Sequence, residues 1–515
     1  MRSSPRVSTR GDPTWSPAAV VPEPVDPLAL ARNIADRLCA EAIRSAGRAT
    51  WLGDEKENVT GEWEVVHRSV DGDLYGGTAG IGLFLGRIFT ATGEERYRTT
   101  ALEAFAHAVE WCRRTRPSGS LYVGSAGLAA ALAEAAGPLG SGALAEEARR
   151  ITLDAIEHPP AESDFLGGRA GSIVALLHIA RTLHIDPAFE AAQAHGAALS
   201  GDAITELYPG ACWASDTGSD EPPLCGLAHG ASGIALALAE LAHVCGDERS
   251  AELARAAAEY ERAWFRRETG NWPDLREYTR TKKARGEAPA FPNFWCHGAV
   301  GIGLVRLRQY ALTGETIYAV EAETALLSAE KYLALCAEGG VHADLSLCHG
   351  LAGLVELFLA GAHVLEQPEL HEQAMACVQL AALLGREGAG PWPCGVPEGG
   401  ENPSLMLGLA GIGMMFLRAS DPMVAPIGLP YTANILTSRV IVRLRQGETP
   451  IDVQARVQEL LQLVPGSRVE RISGSGRILL RLAASTPIET AIEALSAHEG
   501  VEYAEPDVID RASSP

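Results

Sequence analysis

The sequence predicts a mainly α-helical protein, a seven-fold α/α toroid built as a barrel of helical hairpins, followed by a small α+β domain. Three observations carry this expectation. A Gly-x-x-Gly element returns seven times, each copy opening an apolar helical pattern. Ala, Leu and Gly abound while aromatic residues make up 6% of the chain, a composition suited to helices whose backbones approach closely. Beyond residue 420 the apolar period alternates between that of strands and that of helices over short segments. At 515 residues the chain is also too long for one ordinary core.

Taken in order, residues 1–27 carry six prolines and no continuous apolar stretch, and read as a disordered tail rather than a signal peptide. Residues 28–420 hold the toroid. Its glycine elements are Gly77-Thr-Ala-Gly80, Gly124-Ser-Ala-Gly127, Gly168-Arg-Ala-Gly171, Gly230-Ala-Ser-Gly233, Gly298-Ala-Val-Gly301, Gly350-Leu-Ala-Gly353 and Gly408-Leu-Ala-Gly411, spaced by 44 to 68 residues. Each interval accommodates two helices and two loops, as in Ile81 to Thr90 followed by Glu94 to Arg113. Gly costs about 0.5–1 kcal/mol in a helix relative to Ala, so its recurrence at the start of each inner helix calls for close backbone packing. Seven such starts converging on one end of a closed ring satisfy that demand, with an open solenoid as the alternative.

Residues 421–436, with three prolines between Asp421 and Pro430, read as a linker. Residues 437–510 then give a strand from Arg439 to Arg445, a helix from Val453 to Leu463, and strands from Arg468 to Ile472 and Arg477 to Leu482 around Gly474-Ser-Gly476. A helix from Ile488 to Leu495 and a strand from Val501 to Ala504 complete a β-α-β-β-α-β, ferredoxin-like order.

Forty-three Lys and Arg against sixty-five Asp and Glu leave a net charge of −22, which repels phosphate backbones and argues against nucleic acid as a ligand. No apolar run is long enough to suggest a membrane span. Ten cysteines without a Cys-x-x-Cys pair are no disulfide scaffold, and fit a reducing cytoplasm.

Three of the seven junctions carry His or Cys: Gly226-Leu-Ala-His229-Gly230, Trp295-Cys296-His297-Gly298 and Leu347-Cys348-His349-Gly350. If the glycines share one ring end, these side chains face one space. Cys296, Cys348 and His349 then offer two thiolates and an imidazole, a donor set suited to Zn²⁺ with a fourth position open. Five protein ligands would exceed what zinc takes, so His229 and His297 are left for other chemistry. His229, alone in its junction, is the better acid/base candidate. Asp164 stands four residues before Gly168 at the same ring end, where it either caps the helix start or orients His229.

At these residues the sequence resembles the lanthionine synthetase C-like family, over roughly Leu74 to Arg418. The resemblance rests on Gly226-Leu-Ala-His-Gly-Ala-Ser-Gly233, Trp295-Cys-His-Gly298 and Cys348-His-Gly350, in that order. It implies a seven-fold α/α barrel with one zinc ion held by Cys296, Cys348 and His349, His229 as general acid/base, and Asp164 as its support. It also implies addition of a peptide Cys thiolate to dehydroalanine or dehydrobutyrine, forming a thioether ring. Two positions depart from the pattern of free-standing cyclases, Pro292 where Arg is frequent and His297 where Tyr is frequent. Too few residues precede the first repeat for a dehydratase half, so the dehydrated precursor peptide is expected from a separate dehydratase.

The ending His498-Glu-Gly-Val-Glu-Tyr-Ala-Glu-Pro-Asp507 resembles the inhibitor-type propeptide of subtilisin-like proteases. That resemblance implies a partner protease acting in trans, since no Ser-His-Asp protease follows. Two alternatives to the cyclase stand beside it. One is addition of glutathione or a similar small thiol to dehydroamino acids. The other is a non-enzymatic scaffold whose C-terminal domain binds or inhibits a subtilisin-like protease.

Overall fold

The computed structural model describes residues 25–506, apart from 60–61, 216–221, 277, 279, 342, 387–390, 423, 430–438, 446–449, 473–476 and 483–487. The tail expected over 1–27 lies outside the described residues up to residue 24. Pro27 already opens a helix, with the Asp26 side chain accepting from Ala29 N at 3.2 Å as its cap.

Seven inner helices follow the seven glycine elements: Thr78–Thr92, Ser125–Ala136, Arg169–Leu183, Ala231–Cys245, Ala299–Thr313, Leu351–Val364 and Leu409–Ser420. Ser125–Ala136, with Leu128, Ala129, Ala130, Ala131 and Leu132 all buried, shows their character: a helix that is apolar around most of its circumference has to be enclosed. The outer helices are amphipathic instead. Glu95–Thr115 buries Tyr97, Ala101, Ala104, Phe105 and Ala108 on one stripe and gives its remaining faces to Arg and Glu. Six outer helices come directly after their inner partners: Glu95–Thr115, Gly142–Glu157, Asp186–Asp202, Glu248–Trp264, Thr316–Ala337 and Glu369–Arg386. The seventh does not. Leu409–Ser420 takes as its outer partner the N-terminal helix Pro27–Glu41, so the two ends of the toroid are joined within one hairpin.

Each inner helix packs on the next, and the last packs on the first, closing the ring. At the ring end a circuit of main-chain hydrogen bonds makes the closure explicit. The residue two positions before the first glycine of each repeat donates its N–H to the carbonyl of its counterpart in the neighbouring repeat. Tyr75 donates to Tyr122 (2.9 Å), Tyr122 to Leu166 (3.1 Å), Leu166 to Ala228 (3.0 Å) and Ala228 to Cys296 (3.1 Å). Cys296 donates to Cys348 (3.4 Å), Cys348 to Met406 (3.0 Å), and Met406 back to Tyr75 (3.0 Å). These buried polar groups would otherwise be orphaned where seven loops meet. The toroid is therefore closed, and the open solenoid is set aside.

The glycines follow from the same packing. In all seven repeats a Cβ on the second glycine would meet the carbonyl of the residue three positions before the first glycine. For Gly127 that atom is the Leu121 carbonyl oxygen, which stands inside the space a methyl group would need. Gly127→Ala is expected to cost about 3 kcal/mol or more in chemical denaturation, at the upper end of overpacking costs. Gly137→Ala, with helical φ and nothing within 4 Å of its Cβ position, is expected to leave stability unchanged or slightly raised.

Between the N-terminal helix and the first junction lie two hairpins that the sequence reading does not anticipate, Ile43–Ser45 with Arg48–Thr50 and Leu52–Val59 with Glu62–Ser69. The second is fastened to the seventh junction, where Asn402 Nδ2 donates to the Asp54 carbonyl at 2.7 Å.

The C-terminal domain has its own core of Val440, Val442, Leu460, Ile478, Leu480 and Leu495. Strands Arg439–Leu444, Arg468–Ile472, Arg477–Arg481 and Val501–Pro506 form one sheet in the order second, third, first, fourth, with every neighbouring pair antiparallel. Helices Pro450–Leu463 and Ile488–Ser496 are the two crossovers, giving the expected β-α-β-β-α-β order. The expected Gly474-Ser-Gly476 turn lies outside the described residues.

The segment read as a linker over 421–436 differs from that expectation where it is described. Ile427 is 0% and Leu429 5% exposed, and the run from Val424 to Leu429 lies against the inner helices. Arg87 Nη1 donates to Ala425 O at 3.0 Å, and Glu356 Oε2 accepts from both Ile427 N (3.1 Å) and Gly428 N (2.9 Å). Its prolines punctuate the chain without freeing it, because buried Arg and Glu side chains on the inner helices take up its main-chain groups.

Candidate metal centre

Cys296 and Cys348 occupy adjacent positions of the main-chain circuit, which is why two residues fifty-two apart in sequence meet. His349 follows Cys348, its N–H received by Ser346 Oγ at 3.2 Å and its ring set edge-on to Phe294 with centroids 5.6 Å apart. The two Sγ atoms and an imidazole nitrogen of His349 all lie within 4.8 Å of one another. Tetrahedral zinc with Zn–S about 2.3 Å and Zn–N about 2.0 Å separates its donors by roughly 3.5–3.8 Å, so this grouping is of the right size and chemistry.

The electrostatics favour charge on this trio. Hydrogen bonding from Cys348 holds the Cys296 thiol well below its ordinary range against its burial, and His349 adds to the effect. Burial, and then its hydrogen bond with Cys296 and the Cys296 charge, push the Cys348 thiol up. Burial pulls His349 down, but its hydrogen bond with Cys296 together with the Cys296 and Asp344 charges raises it overall. A buried thiolate sharing protons with a thiol and an imidazole is a set from which a divalent cation displaces protons. The other His and carboxylate grouping among the described residues, Asp154, Glu157 and His158, sits at the end of an outer helix with Glu157 and His158 exposed, and its His158 Nδ1 donates to the Asp154 carbonyl at 2.8 Å.

His229 and Asp164 meet at the same ring end. His229 Nδ1 lies 2.6 Å from Asp164 Oδ2, so that nitrogen carries the proton and donates it, leaving Nε2 free for exchange. Asp164 also accepts from Gly167 N through Oδ1 at 2.8 Å, which ties the junction loop, while the helix that starts at Arg169 has no side-chain cap. His297 is fully buried and stacks on His229 with ring centroids 6.0 Å apart and planes 23° from parallel. Its Nδ1 donates to the Cys225 carbonyl at 3.3 Å, and its Nε2 has no hydrogen-bond partner. Burial lowers its pKa, so it is neutral at pH 7.

The loop bearing His229 is braced from behind. Buried Glu261 accepts from Gly226 N (2.9 Å), Ser232 N (3.1 Å) and Ser232 Oγ (2.5 Å), and it also pairs with Arg306 Nη2 at 2.7 Å. Gly226 adopts φ +105°, and a Cβ there would press on His297 Cα at 3.1 Å, so the turn needs glycine to let the fourth junction rest on the fifth.

Three further side chains belong to this site without being evident from the sequence. Tyr75 Oη donates to Cys348 Sγ at 3.2 Å, and burial keeps the phenol protonated by raising it well above its ordinary range. Arg276 and Asp274 form a two-pronged pair, Nη2 to Oδ2 at 2.7 Å and Nε to Oδ1 at 3.1 Å, with Asp274 Oδ1 also 4.0 Å from His297 Nδ1. Against partial burial, Asp274 and then the Cys296 and Cys348 thiols keep the Arg276 guanidinium charged, which places a fixed cation beside the trio. Tyr75 carries a weak signal, since it stands at the Cys296 and Cys348 position of repeat one. Arg276 and Asp274 lie in the long insertion of repeat four and follow no period.

Among solved structures the protein is similar to nisin cyclase, at 18% identity over 68% of this chain and 89% of that chain, with a TM-score of 0.51. It is also similar to a GH76 α-mannanase of Bacteroides thetaiotaomicron, at 11% identity over 77% of this chain and 96% of that chain, TM-score 0.44. No helix among the described residues is long and apolar enough to cross a membrane, and all ten cysteines are free. Residues 433–507 match the fervidolysin N-terminal prodomain. Residues 68–428, more than two thirds of the sequence, match the family of lanthionine synthetase C-like proteins, and the chain belongs to that family.

Proposed function

We propose that the protein is a zinc-dependent lanthionine cyclase, which joins a Cys thiol of a ribosomally made peptide to a dehydroalanine or dehydrobutyrine of the same peptide. The observation that carries this reading is the meeting of two chemistries at one ring end, a Cys296, Cys348 and His349 donor set and an Asp164–His229 acid/base pair. Zinc held by that trio would lower the pKa of a bound substrate thiol and so supply a thiolate at neutral pH.

The remaining steps fall to the chain itself. The Arg276 guanidinium is the group available to the carbonyl oxygen that gains charge as the sulfur–Cβ bond forms and the Cα–Cβ double bond opens. His229, held by Asp164 with Nε2 open, takes up on Nε2 the proton that the substrate thiol gives up and delivers it to Cα, completing the thioether. The precursor would be dehydrated by a separate enzyme, and the free cysteines suit a reducing cytoplasm. For the C-terminal domain, the prodomain match supports docking on a subtilisin-like protease supplied by another chain.

The test is incubation of the zinc-loaded protein with a synthetic peptide holding one Cys and one dehydroalanine. Loss of the free thiol without change of mass is expected. A Cys-free dehydroalanine peptide with glutathione is expected to react no faster than without protein, and fast addition there would favour the small-thiol reading.

A further inference from the structure

The residue three positions before the first glycine of each repeat forms a layer beneath the main-chain circuit: Leu74, Leu121, Phe165, Leu227, Trp295, Leu347 and Leu405. All seven are fully buried or nearly so. Six of them press their Cβ close to the second glycine of the next repeat, as Trp295 does at Gly353 and Leu405 does across the closure at Gly80. Only Trp295 brings a hydrogen-bond donor into this apolar layer, and it immediately precedes Cys296. Its Nε1 donates to the Gly428 carbonyl at 2.6 Å, inside the segment that the sequence marks as a linker. Gly428 is in turn held by Glu356 Oε2, whose other oxygen pairs with Arg418 Nε at 2.5 Å, and Glu356 is 2% exposed. Trp295 also meets Tyr122 edge-on at 5.3 Å, and Tyr122 meets Tyr75 at 6.2 Å, the phenol that donates to Cys348. Both thiols of the candidate metal centre thus stand on one aromatic floor, tied from below to Val424–Leu429.

We infer that Val424–Leu429 is a strap that fixes the geometry of the metal centre, with Glu356 and Trp295 as its positioning residues. The inference rests on the zinc reading above. It makes the centre depend on a segment outside all seven junctions, the one that leads into the C-terminal domain. A ligand beside an indole anchored at both ends keeps its angle toward the metal. Without the Gly428 bond, the donor left inside the apolar layer has no partner and the indole turns to find one.

The experiment compares full-length wild type with Trp295→Phe, which keeps an aromatic ring but removes the donor and the rest of the indole's five-membered ring, and Glu356→Gln, which loosens the strap without touching the floor. The readouts are zinc release to a chromophoric chelator, the visible spectrum of the cobalt-substituted protein, and kcat and KM for cyclisation. In both variants, zinc release is expected to accelerate about tenfold or more, the cobalt bands to shift, and kcat to fall while KM holds. Should one variant fail to fold, the other decides. Release rates and cobalt bands equal to wild type, with only a lowered thermal midpoint, would overturn the inference by showing that the strap merely stabilises the barrel. A folded wild type that takes up neither metal would overturn the zinc reading, and the strap's role with it.

Discussion

Cys296→Ala and Cys348→Ala are each expected to take bound zinc from one ion per chain to none and to abolish ring formation, while leaving the toroid folded. The first half follows from the donor count. Three side chains, two of them thiols, hold the site, and removing one leaves a pair that cannot retain zinc against a dilute chelator. The second half follows from how the ring is built. The bonds through which residues 296 and 348 join the circuit are main-chain bonds, from Ala228 N to Cys296 O, from Cys296 N to Cys348 O and from Cys348 N to Met406 O, and Ala makes all three. The surrounding core is Leu, Ala and Phe from the inner helices and does not depend on the metal. Elemental analysis and circular dichroism on the purified variants check both halves. Zinc retained in either variant would show that the ligands lie elsewhere, and unfolding on its loss would make the site structural.

His229→Asn is expected to lower kcat for cyclisation by about 10²–10⁴ with zinc content unchanged, the span over which positioned proton donors act. Asn can still donate a hydrogen bond to Asp164 but cannot transfer a proton at pH 7. Asp164→Asn is expected to cost less, about tenfold to a hundredfold. Its amide still accepts from Gly167 N, but it no longer selects the tautomer with the proton on Nδ1 or stabilises the imidazolium. Both variants read out also in the product. With protein-directed protonation lost, solvent protonates Cα from either face, so the minor diastereomer of the thioether rises in chromatographic analysis. A single diastereomer from His229→Asn at wild-type rate would move the acid role to another group, with His297 next in line because its Nε2 is unpartnered and its ring lies against His229.

Much of this was legible in the sequence because the repeat exposes it. Glycines that must yield to a neighbouring carbonyl recur in register, and register alone places Cys296 and Cys348 at equivalent points of adjacent repeats. The same logic brought Asp164 and His229 to one end, where they meet at 2.6 Å. What a period cannot convey is contact between non-equivalent positions. Tyr75 reaches Cys348 across 273 residues of chain, and Arg276 acts from an insertion found in one repeat only. The N-terminal helix supplies the outer half of the seventh hairpin, but its amphipathic pattern carries no mark of which inner helix it will cover. The strap misled for a related reason. Proline content reports a local backbone preference, whereas the burial of Val424–Leu429 is set largely by Arg87, Glu356 and Trp295, all distant in sequence.

The main-chain circuit separates two properties that most binding sites bind together. The distance between neighbouring members of the circuit is set by one peptide hydrogen bond, of 2.9–3.4 Å, whereas the width of the opening they surround is set by how many members there are. Cys296 and Cys348 are neighbours, so the spacing of the thiols is a property of an edge, and the room for substrate is a property of the polygon. A ring of this design could gain or lose a hairpin, or lengthen one insertion as between Gly230 and Gly298, and resize the chamber while the pair of sulfurs kept its span.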